Sequence, residues 1–101
     1  MGWRWEMTQQ YLAGQLSLLL ADLQAVTATE AARHHASFLR HAAETEPIPA
    51  LGSVILRALG LADNLCWDSL DRGDTMAFTR QAAVCDELQE FGVCSGLLEE
   101  V

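Results

Sequence analysis

An all-α chain, folded as an antiparallel four-helix bundle, is what the sequence predicts. Apolar residues recur at the 3.6-residue helical period along nearly the whole of its 101 residues. Ala, Leu, Gln and Glu are abundant, and β-branched runs are scarce. Three breaks with cap or turn chemistry, at Thr27–Thr29, Glu46–Pro49 and Gly73-Asp74, divide the pattern into four segments.

The first helix is expected over about residues 8–26, with Thr8 as N-cap. It carries two apolar stripes. Leu12, Leu16, Leu19, Leu23 and Val26 form one, and Tyr11, Gly14, Leu18, Ala21 and Ala25 form the other on the opposite side. A helix covering a single core needs one apolar face, so the second stripe points to burial between layers or between chains. Residues 1–7 read as a flexible or docking extension, in which Trp3-Arg4-Trp5 suits a partner pocket or the bundle's own surface. Met7-Thr8 is also a plausible start.

Thr27 and Glu30 have capping-box spacing, which separates a second helix over about 29–45 from the first. Its expected apolar face is Ala28, Ala31, Ala32, Phe38, Leu39 and Ala42, with His35 in the middle. Pro47 and Pro49 end it, because Pro cannot continue a helix and the residue before Pro avoids the α region. A third helix follows over about 49–72. It is apolar around most of its circumference, and Leu56, Gly60 and Trp67 make a patch apart from its broad face. Gly73 suits a left-handed cap and Asp74 the next N-cap, so Arg72-Gly73-Asp74 is turn chemistry. The fourth helix, about 75–91, is amphipathic and ends at Gly92, followed by a short turn through Leu97, Leu98 and Val101. The first and third helices are therefore expected at the centre, the second and fourth outside.

Composition narrows the function. One domain spanning residues 1–101 is the expectation at this length. The formal charge of −8 arises from 14 acids against six bases, all Arg. That balance disfavours nucleic acid and anionic membranes and suits a basic protein partner. The longest apolar run, residues 47–62, is shorter than the ~20 residues of a membrane span. Without a secretory pattern at the start, the expected location is cytoplasmic, and the Arg/Ala/Leu bias suits a GC-rich bacterial genome.

Three groups of residues suggest chemistry. Glu30, His34, His41 and Glu44 fall in one stripe, as metal-ligating residues would. His34 and His41 are, however, about 10.5 Å apart along the axis, and no other helix offers a His, so a solvated polar face and no cofactor are expected. His35 could form a buried polar site with Cys66 or Cys85. Counted from Gly73, those two cysteines lie seven and twelve residues away, an axial offset of about 7.5 Å that suits free thiols. No phosphate-binding Gly loop, Ser/His/Asp arrangement or HExxH motif occurs, so an enzyme is not expected. The sequence thus predicts a small acidic interaction or regulatory protein, a homodimer meeting its partner through Tyr11, Leu18, Ala25, Leu56 and Trp67. The alternative is a small-molecule- or metal-binding bundle built around His35 and Cys66/Cys85.

Overall fold

Short connections fold the chain into two antiparallel hairpins built from α1 (Gly2–Ala25), α2 (Glu30–Thr45), α3 (Ile48–Arg72) and α4 (Thr75–Cys94). The computed structural model describes the backbone of residues 2–27 and 29–98 and the side chains of residues 10–27 and 29–98. No strand occurs among these residues. The four-helix bundle read from the sequence is therefore the fold.

Helix ends follow local chemistry, and three differ from expectation. The first helix begins at Gly2 rather than Thr8, so residues 2–7 continue α1; the side chains of Trp3, Arg4 and Trp5 lie outside the described residues. Thr27 does not cap α2. It is buried, and its hydroxyl donates to the Leu23 carbonyl at 2.7 Å, finishing α1 instead. Thr29 takes over the cap, its hydroxyl oxygen accepting the Ala32 N–H at 3.3 Å. Nor does Gly92 stop α4. It is buried inside the helix, where a side chain would collide with Leu98. The left-handed residue after α4 is Gly96, with φ of 77°.

The α3–α4 turn matches the reading of Gly73 and Asp74. Gly73 has φ of 72°, its N–H donates to the Leu70 carbonyl at 3.0 Å, and the Asp74 N–H donates to the Ser69 carbonyl at 2.9 Å. That is a Schellman closure, which satisfies carbonyls a helix end leaves open. The Asp74 carboxylate then accepts the Ala77 N–H at 3.1 Å and starts α4.

Packing is rhombic. α1 touches α2, α3 and α4; α3 touches α1, α2 and α4; α2 and α4 do not meet. The two central helices are those whose apolar surface was in excess. Leu16, Leu20 and Leu23 from α1, Leu39 from α2, Leu51 and Ile55 from α3, and Leu88 from α4 are fully buried at the shared core. Ala36, Ala43, Ala58 and Ala62 let the helices approach closely. The arrangement is flat, with extents of 51 × 29 × 17 Å. α3 has the length and mean hydropathy (1.3 over its most apolar window) of a membrane span, although the apolar run alone fell short of one. Its broad apolar face is spent on the core, while Arg57, Asp63, Asn64 and Asp68, with Leu56 and Trp67, face solvent.

A polar contact ties the two hairpins together inside this core. Gln81 is 1% exposed. Its side-chain carbonyl accepts the Ser69 hydroxyl at 2.7 Å, and its amide donates to the Val26 carbonyl at 3.0 Å. One side chain of α4 thus holds α3 and closes the end of α1. No buried side-chain nitrogen or oxygen among the described residues lacks a partner.

Candidate functional site

The two stripes of α1 have different fates. Leu16 and Leu23 are buried and Leu12, Leu19 and Val26 pack against the core. Tyr11 (64% exposed), Leu18 (62%), Gly14 and Ala25 face outward, so central position in the bundle did not cover the second stripe. A shallow groove runs beside it, bounded by Tyr11, Gly14, Leu18, Ser17 and the α2 residue Glu44. Ser17 fixes that edge: its hydroxyl donates to Glu44 Oε1 at 2.9 Å and accepts from Arg40 Nε at 3.3 Å. On α3, Leu56, Gly60 and Trp67 are likewise exposed, on the side of the helix turned away from its buried residues.

The histidines form no centre. Glu30 sits 3.5 Å from His34 Nε2, one turn along α2, with both side chains in solvent. His41 is exposed, and Glu44 is engaged by Ser17. No group of three His, Cys, Asp or Glu suited to a metal ion exists among the described residues. His35 is exposed rather than buried, because the inward face of α2 is Ala32, Ala36, Leu39 and Ala43. Phe38 and Ala31, expected inside, are outside with it. A buried site combining His35 with Cys66 or Cys85 is therefore not present.

Cys66 and Cys85 nevertheless share a groove of about 320 Å³ on the α3–α4 seam, walled by Trp67 and Phe78 and rimmed by Asp63 and Asp86. The Ser69–Gln81 contact centres the hairpin register near residue 75, so Cys66 and Cys85, nine and ten residues from it, stand at nearly one level, and Cys85 is near enough to act electrostatically on Cys66. Counting from Gly73 overstated their offset because the Ser69–Gln81 contact sets the register nearer residue 75. Both thiols are free. Burial pushes the Cys66 thiol above its ordinary value, and the negative charges of Cys85, Asp63 and Asp86 add to it. Burial, then Asp86 and Asp63, do the same to Cys85. Thiols held protonated are poor nucleophiles.

Asp63, Phe78 and Asp86 were not singled out as site residues from the sequence. Their signal was present as the i, i+3 and i, i+4 spacing of Asp63, Cys66, Trp67 and Leu70, mirrored by Phe78, Ala82, Cys85 and Asp86. The chain matches no protein-family model, no curated protein and no solved structure, so these surfaces are read from their own chemistry.

Proposed function

We propose that the chain is a small acidic interaction protein, not an enzyme, that self-associates through the outer face of α1. The uncovered stripe of Tyr11, Gly14, Leu18 and Ala25 carries this reading. Charge favours a second copy over a basic partner at this surface. Of the 14 acidic residues, only Asp22 lies between Gln10 and Ala25, and Glu44 at the groove edge is held by Ser17 with Arg40 on the same hydroxyl, so two α1 faces meet with little like-charge repulsion. Gly14 leaves open space for close helix approach, with nothing within 4 Å of where a Cβ would stand. A standard interface buries about 800 Å² per partner, roughly an eighth of the 6404 Å² surface. The stripe and the groove reaching Glu44 offer a continuous strip along which such an area can form. A cytoplasmic location belongs to the same reading.

Light scattering on the purified chain, wild type against Leu18→Glu, tests it. A two-fold contact presents each substitution twice, so the variant should be monomeric with unchanged helicity. A wild-type chain that stays monomeric at 100-µM-order concentration refutes the proposal. So does a Leu18→Glu chain with the wild-type mass.

A further inference from the structure

Independently of α1, we propose that the α3–α4 groove binds a small organic cation with an apolar body, its charge held between Asp63 and Asp86 and its body against Trp67 and Phe78. The groove's composition selects this class. Asp63 and Asp86 come from opposite helices, and both are exposed. The single ion pair among the described residues is Glu30 with His34, so no described cation lies within ion-pair distance of either one. Their combined field reaches inside, where it contributes to holding both thiols protonated. An anion is repelled there, and a wholly apolar guest would strip water from two carboxylates without replacing it.

The walls choose among cations. A small hydrated metal ion finds no three-donor group, and it gains nothing from aromatic surface. An ammonium on an apolar frame gains from both. Trp67 is 61% exposed at the groove mouth and offers an indole face for cation–π contact, and Phe78 supplies a second ring. The neutral Cys66 and Cys85 thiols act as soft apolar lining between the rings. At about 320 Å³ the groove is at the lower bound of ligand sites, a fit for a single-ring amine rather than a folded partner.

The probe is benzyltrimethylammonium, titrated into isotopically labelled protein while amide and indole NMR shifts are followed; benzyl alcohol is the uncharged control. Saturable shifts confined to residues 63–86 and the Trp67 indole are expected, with the alcohol at least tenfold weaker. Asp63→Asn with Asp86→Asn should lower affinity about five- to tenfold, the size of two solvent-screened charge contacts. Trp67→Ala should lower it as well. All three positions are exposed, so the variants keep the fold. Equal affinity for cation and alcohol overturns the proposal, as does an affinity unchanged in the double Asn variant. Shifts scattered over the whole surface overturn it too.

Discussion

Replacing Gln81 with Leu puts the joint between the two hairpins to the test. The substitution keeps the side chain's approximate volume and removes both contacts, leaving the Ser69 hydroxyl and the Val26 carbonyl without their partner. Each buried group so stranded costs about 1–3 kcal/mol. Ser69 is completely buried; its hydroxyl oxygen still accepts from Arg72 Nη2 at 3.4 Å, but its O–H loses the Gln81 acceptor. Val26 is half-buried, and water recovers part of its loss. The added apolar contact of Leu returns about 1 kcal/mol, so the net loss is about 2 kcal/mol. For a domain of this size that lowers the midpoint of thermal unfolding by roughly 8–16 °C. Urea melts followed by far-UV circular dichroism, at one fixed protein concentration, measure the change. Ser69→Ala alone should cost about 1 kcal/mol, and the double variant should fall short of the sum because the two groups share one bond. A Gln81→Leu protein as stable as wild type would refute the reasoning. The polar contact would then be replaceable filler rather than the tie between α1, α3 and α4.

Other perturbations separate close packing from open space. Ala at Gly52 places a Cβ 2.6 Å from the Leu97 backbone carbonyl, so the segment after α4 must lift away. A loss of about 1–3 kcal/mol and faster proteolysis at residues 95–98 are expected. Gly14→Ala meets nothing and should stabilise the monomer by about 0.4–1 kcal/mol, while weakening self-association measured by sedimentation. Among the thiols, Cys94 is exposed and should react first with a maleimide, ahead of the protonated Cys66 and Cys85. Their raised folded values also make stability fall as pH rises above about 8.5, where unfolded thiols ionise and folded ones retain their protons. Denaturant melts of Cys66→Ser/Cys85→Ser should show a flatter alkaline slope.

Much of the architecture was legible because helix breaks carry their own chemistry. Pro47, Pro49, Gly73 and Asp74 act locally, and the hairpins they define leave few ways to pack. The facing of α2 was not legible. Ala31, Ala32, Ala36, Ala42 and Ala43 spread over an arc of about 140° of that helix, and so small a side chain marks no sharp inward direction within it. Phe38 and His35 consequently looked inward, when the close approach of α2 in fact selected Ala36 and Ala43. Gln81 was illegible for a different reason. Its partners are 12 and 55 residues away, so nothing nearby marks a glutamine as buried. At the α1 and α4 ends, Thr27 and Gly92 were misread because each had two possible uses, and tertiary packing chose between them. For the candidate surfaces, the α1 stripe and Trp67 were visible as excess apolar residues, whereas the groove needed the hairpin register before its two halves could be matched.

The rhombic arrangement also limits how copies of the chain can accumulate. α1 and α3 meet at the centre, so their uncovered stripes lie on opposite broad faces of the molecule. On the proposed reading, pairing α1 with α1 would close a dimer and leave both α3 faces pointing outward from it. Were those faces also to pair, each dimer would recruit the next, and a closed complex would become an open row. Asp63, Asp68 and Asp71 lie beside Trp67 on that outer side. Brought against a copy of themselves they would repel, so in such a dimer the acidic surplus of α3 would act as a stop on polymerisation.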